Sequence, residues 1–170
     1  MEKKSVYIET TIPSLVTARP SNNIEELSRQ YVAKNFWENE RHKYDLYISR
    51  YVHEECSDGD HDAAKRRLDL IKDIQFLPVT SETEKLAEEY FEYLNIPQKA
   101  KVDCFHLAVC VMNKIDFLIS WNMTHLGTPT YRKIISFNEH HNLWLPELLT
   151  PDVFMKIMEN ERKEEQNGKV

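Results

Sequence analysis

The chain has 170 residues, 41% of them hydrophobic and 29% charged, which suits one globular domain with a substantial core. A net charge of −6 argues against an extended basic groove, so a nucleic-acid partner would have to be reached through local Lys/Arg patches or a bound metal. Three glycines exclude Gly-rich phosphate loops, and three cysteines without C-x-x-C spacing speak against a disulfide scaffold or thiolate zinc site and for reduced thiols in a cytoplasmic protein.

Taken in chain order, Ser5–Ile8 reads as a first strand, stopped by Glu9-Thr10-Thr11 and then Pro13. Asn22-Asn23-Ile24-Glu25 offers a helix start, and Ile24, Leu27, Tyr31 and Phe36 form the apolar stripe that follows it. Residues 45–49 form a second strand, and 52–56 open a helical turn that ends near Gly59. Asp60 then caps a helix with Ala64, Leu68 and Ile71 inward. A third strand spans 76–79, and the capping box Ser81-Glu82-Thr83-Glu84 leads a helix carrying Leu86, Tyr90 and Leu94. Residues 98–113 form a helix that is apolar almost all round after His106, hence central and buried. Residues 117–120 give a fourth strand and 133–137 a fifth, before Thr150-Pro151-Asp152 starts the last helix.

Short apolar strands alternating with helices predict an α/β fold, a three-layer α/β/α sandwich with a mostly parallel central sheet. The domain spans residues 1–160, and 161–170 are expected to be a charged, disordered tail. No signal-peptide region or membrane-length apolar span is seen, so no membrane partner is expected.

Polar groups cluster where strands end. Glu9 follows the first strand and reads either as a turn carboxylate or as a metal ligand supported by Thr10 and Thr11. Of Glu54 and Glu55, Glu55 shares the inner helical stripe with Tyr51 and Val52, which leaves Glu54 to solvent. Asp103 lies early in the buried helix, as a dipole partner or as a ligand whose burial needs a cation. His106 reads first as a hydrogen-bonded core residue and second as a ligand or proton shuttle. Asn122 either caps a turn or reaches a metal-bound water or a phosphate oxygen. Trp121 either stacks on a base or belongs to the shell of the domain, and His125 either closes the loop or meets substrate.

These segments together resemble the PIN-domain nucleases, in particular a bacterial subgroup with an E-T-T-I-P-S start. The likeness lies in Tyr7-Ile8-Glu9-Thr10-Thr11-Ile12-Pro13-Ser14, in residues 49–56 with Gly59-Asp60, in Ile96-Pro97 with residues 99–108, in 117–125, and in Thr150-Pro151-Asp152. It implies a parallel-sheet α/β/α fold and a metal-dependent ribonuclease that cuts single-stranded RNA with Mg²⁺ or Mn²⁺, often as the toxin of a toxin–antitoxin pair. By position it implies Glu9, Glu55, Asp103 and Asn122 as catalytic, the first three holding the metal, and Thr10 as the polar residue after the first acid; Thr10, Thr11, Trp121 and His125 are the candidates for the substrate side. An antitoxin protein and a homodimer are the implied partners, with Phe36, Trp37 and Trp144 as candidate contacts. Asn122 stands where the family carries a fourth acid, so one metal ion is expected rather than two. The competing reading is a non-catalytic PIN-like module that binds RNA or protein through a degenerate metal site.

Overall fold

The computed structural model describes residues 3–122 and 128–167. Five parallel strands form one sheet in the order β3-β2-β1-β4-β5: β1 (Ser5–Ile8), β2 (Asp45–Ile48), β3 (Gln75–Phe76), β4 (Phe117–Ile119) and β5 (Glu147–Leu149). Successive side chains of a strand point to opposite faces, and Val6, Tyr7 and Ile8 are all fully buried. Both faces of the central strand are therefore covered, as a parallel sheet requires.

The covering helices are α1 (Thr11–Thr17), α2 (Ile24–Asn35), α3 (Arg50–Ser57), α4 (His61–Ile71), α5 (Ser81–Leu94), α6 (Lys101–Met112), α7 (Thr128–His140) and α8 (Pro151–Asn167). Asp60 caps α4 by accepting from the Ala63 amide, as its sequence position suggests. The caps of α2 and α5 differ from expectation. Asn23 accepts from the Glu26 amide, and the box before α5 is built by Thr80 with Thr83 rather than from Ser81.

The chain runs outward from β1 through β2 to β3, then returns to the other side of β1 for β4 and β5. That reversal places a topological switch point between β1 and β4, where an open α/β sheet leaves a crevice beyond its strand ends. Register fixes the rim of the crevice. Ile8 pairs with Ile119, and Tyr7 pairs with Tyr47, so Glu9, Ser49 and Ser120 leave three adjacent strands at one level.

Several expectations need correction. Residues 133–137, read as a strand from their Ile-Ile-Ser-Phe run, lie inside α7, and the fifth strand is Glu147–Leu149. The stripe expected on α2 faces outward: Ile24 is 86% exposed and Tyr31 75%, while Gln30 and Ala33 turn inward. Phe36 and Trp37 lie in the core and are not free contact residues. Trp144 is partly exposed, although its indole Nε1 donates to the Ile115 carbonyl at 2.7 Å. The last helix, α8, runs from Pro151 to Asn167, and its Arg162 guanidinium donates to Tyr44 Oη at 3.2 Å and Glu40 at 3.3 Å.

Candidate active site

Glu9 leaves β1 and is nearly buried, so its charge depends on donors supplied by the fold. Three converge on one oxygen. Glu9 Oε2 accepts from the Thr11 amide at 3.0 Å, the Thr11 hydroxyl at 2.6 Å and the Ser120 hydroxyl at 2.8 Å. The turn after β1 places Thr11, and the register of β4 places Ser120. Ser120 in turn accepts from the Asn122 amide at 2.8 Å, and the Thr11 hydroxyl accepts from the Trp121 amide at 2.9 Å. One interlocked set therefore fixes the ends of β1 and β4 together.

Glu55 points inward from α3 and Glu54 outward, as helical spacing predicts. The Thr10 hydroxyl donates to Glu55 Oε2 at 2.6 Å, and His106 Nε2 meets the same oxygen at 2.8 Å. Burial pushes the Glu55 carboxyl up, but the His106 hydrogen bond and charge, helped by Thr10, bring it below its usual value. The imidazole moves the opposite way. Burial lowers the His106 pKa, and the bond to Glu55 with the surrounding acids more than reverses this.

Asp103 sits one turn before His106 on α6, with only 4% of its surface exposed. Its Oδ1 accepts from Asn122 Nδ2 at 3.3 Å, and its Oδ2 is buried with no hydrogen-bond partner among the described residues. Burial first, then the charges of Glu9 and Glu55, raise its carboxyl to about 7 against the opposing effect of His106. A buried carboxylate oxygen without a donor is costly, and a cation is the natural group to complete it.

The structure thus brings Glu9, Glu55, Asp103 and Asn122 to one end of the sheet, with Thr10 and Thr11 among them. The tightest cluster is nevertheless Glu9, Glu55 and His106, each offering a ligand-type atom within 4.8 Å of the others. Asp103 falls outside that spacing and faces Asn122 instead. A cleft of about 710 Å³ opens above the site, lined by Glu9, Thr10, Thr11, Glu55, Trp121 and Asn122 among others. Arg29 of α2 also reaches it, its guanidinium carbon 5.7 Å from the Trp121 ring centre. His125 lies outside the described residues. Cys56, Cys104 and Cys110 are free and buried, and burial pushes the first and second up to about 12.

Ser120, Tyr7, Ser49 and Arg29 escaped the sequence reading. Tyr7 carried a signal, since its hydroxyl sits in an otherwise apolar strand and must find a partner when buried. Arg29 had none, because the stripe read on α2 put the wrong face inward.

The donors suit a hard divalent cation. Among the described residues Glu9 and Glu55 have every donor on Oε2 alone, Asp103 has an oxygen without a partner, and no cysteine joins the cluster of ligand-type atoms.

No family model and no curated protein matches the chain. Several solved structures are similar, and two illustrate the likeness. One is VapC20 of Mycobacterium tuberculosis, a toxin that cleaves the sarcin-ricin loop, with 17% identity and a TM-score of 0.56 over 71% of this chain and 92% of that one. The other is VapBC2 of Rickettsia felis bound to a promoter DNA fragment, with 11% identity and a TM-score of 0.50 over 86% of this chain and 98% of that one. Together with the strand order β3-β2-β1-β4-β5, these likenesses show that the chain has the α/β fold of the PIN domains.

Proposed function

We propose that this protein is a divalent-metal-dependent ribonuclease that hydrolyses phosphodiester bonds of single-stranded RNA, acting as the toxin of a toxin–antitoxin pair. The observation that carries the reading is Asp103: a buried carboxylate with one oxygen that has no partner among the described residues, beside Glu9 and Glu55 at the switch point of the sheet. Glu9 and Glu55 line the cleft with Asp103 buried beside them, and such a group of acids would repel an RNA backbone, so a cation is needed before substrate can approach.

Glu9, Glu55 and Asp103 would hold that cation, and Mg²⁺ or Mn²⁺ bound there would acidify a water and screen charge on the scissile phosphate. The chain's own groups do the rest. Thr11 and Ser120 hold Glu9 in one orientation, and Thr10 with His106 holds Glu55. Asn122 restrains Asp103 and offers its amide toward the cleft without adding a charge. Thr10 and Thr11 line the substrate side, and the Trp121 indole supplies a flat apolar surface on which an unpaired base can stack. His125, which the sequence reading also puts on the substrate, lies outside the described residues. The toxin assignment draws support from VapC20, and an antitoxin partner from the VapBC2 complex.

The test is cleavage of a labelled single-stranded RNA by purified protein, first stripped with chelator and then resupplied with Mn²⁺ or Mg²⁺. Cleavage should vanish on stripping and return with either ion. Undiminished cleavage under chelator would contradict the metal, and no cleavage combined with no Mn²⁺ binding at millimolar concentration would favour a binding module.

A further inference from the structure

We propose that His106, buttressed by Tyr7, is a positioning residue that fixes the Glu55 carboxylate in the metal site. The inference rests on the reading of that site as a metal site and adds a part to it. His106 is 1% exposed and Tyr7 fully buried, so both polar side chains must be satisfied inside the core. They are satisfied by one continuous chain. Ser49 Oγ and Tyr7 Oη meet at 2.7 Å, Tyr7 Oη and His106 Nδ1 at 2.7 Å, and His106 Nε2 and Glu55 Oε2 at 2.8 Å.

The chemistry of the last contact sets its direction. An ionised carboxylate only accepts, so the proton between them resides on Nε2. A nitrogen that carries that proton has no lone pair to give a cation, and Nδ1 is already taken by Tyr7. His106 therefore serves Glu55 rather than acting as a ligand beside it, despite the short spacing among Glu9, Glu55 and His106. Both donors to Glu55 meet Oε2, which leaves Oε1 without a donor among the described residues. Glu55 has three rotatable torsions, and the tether removes their freedom before any ion arrives.

The chain also links the site's parts. Tyr7 of β1 lies two residues before Glu9, Ser49 follows β2, His106 belongs to α6 with Asp103, and Glu55 comes from α3. A shift in any one of these elements reaches Glu55 through the imidazole.

Mn²⁺ titration calorimetry on the full chain tests this apart from RNA cleavage. His106→Leu keeps the packing but removes the donor, and should weaken Mn²⁺ binding about 10–100-fold, the usual cost of losing a support behind a ligand. His106→Gln, whose amide can still reach Glu55, should recover most of that affinity. In a Glu55→Gln background, His106→Leu should cause no further loss. Tyr7→Phe keeps the ring and removes only the buttress. It should weaken binding by a smaller factor, and it stands in if His106→Leu does not fold. Wild-type affinity in both His106→Leu and Tyr7→Phe would overturn the proposal. So would an equal loss with and without Glu55, or failure of His106→Gln to recover, since either marks a direct ligand. Wild-type protein that binds no Mn²⁺ would instead overturn the metal site itself.

Discussion

Asp103 and Asn122 face each other at the strand ends, with the Asn122 side-chain amide donating to Asp103 Oδ1 at 3.3 Å while Asp103 Oδ2 is buried with no partner among the described residues. An amide at this corner does two things a carboxylate would not. It holds Asp103 by a hydrogen bond, and it removes one negative charge from a cluster that already contains three acids.

Replacing Asn122 by Asp should therefore cut both ways. Without metal, two carboxylates would meet near 3.3 Å and repel, so the melting temperature should fall. With metal, the added oxygen ligands should raise the number of Mn²⁺ ions bound from one to two by calorimetry. An unchanged stoichiometry and an unchanged melting temperature would show that the corner does not govern charge in the site.

The acids also set how stability depends on pH in the metal-free protein. Burial raises Asp103 from 3.8 to about 7, so the folded state holds its proton more tightly, and stability falls as pH rises through that window. His106 is raised through Glu55 despite its burial, so its contribution is complete below 6.5 and is lost as pH rises through its folded value. Glu55 is lowered by His106 and Thr10 despite its burial, so its contribution is present above 4.5 and disappears only as pH falls through its folded value. Calorimetric melting in chelator should then peak near about pH 5 and decline toward about pH 8, and Mn²⁺ should restore more at the higher pH. A larger Mn²⁺ effect at the lower pH would contradict this assignment.

Ser120 is a small residue with a large duty. Its hydroxyl donates to Glu9 and accepts from the Asn122 amide, so it ties the ends of β1 and β4. Ser120→Ala removes a hydrogen bond to a buried charge and should cost about 1.5–3 kcal/mol in urea unfolding. The same variant should bind Mn²⁺ more weakly, because Glu9 loses one of its restraints.

The sheet's centre was legible from sequence because β1, β2 and β4 are short apolar runs ended by polar residues, and each end marked the crevice. The misreadings have physical causes. α1 went unread although β1 ends where expected: proline in the first turn of a helix costs no hydrogen bond, so Pro13 sits inside α1. The β-branched Ile134 and Ile135 imitated a strand inside α7, while the real β5 is three residues opening with an exposed Glu147. On α2, residue type misled: Gln30 is buried because it bonds the Ser21 amide and the Arg19 carbonyl, which no apolar count anticipates. The acids were found because their order along the chain survives without geometry. Ser120 and the Tyr7–His106 pair were missed because their roles exist only once separate strands and helices meet.

That correction to α2 is measurable. Tyr31→Ser should leave unfolding free energy within about 0.5 kcal/mol, whereas Phe36→Ala should cost about 3–5 kcal/mol, since only the second empties core volume. Equal costs at both positions would mean that the outward face of α2 is covered.

The most direct test compares wild-type and Asp103→Asn protein for RNA cleavage in Mn²⁺, with both folded by circular dichroism. Asparagine keeps the shape but removes the charge that calls for a cation. The account predicts cleavage by wild type that chelator abolishes, and a loss of at least about 100-fold in the variant. Equal cleavage by the two proteins would contradict it.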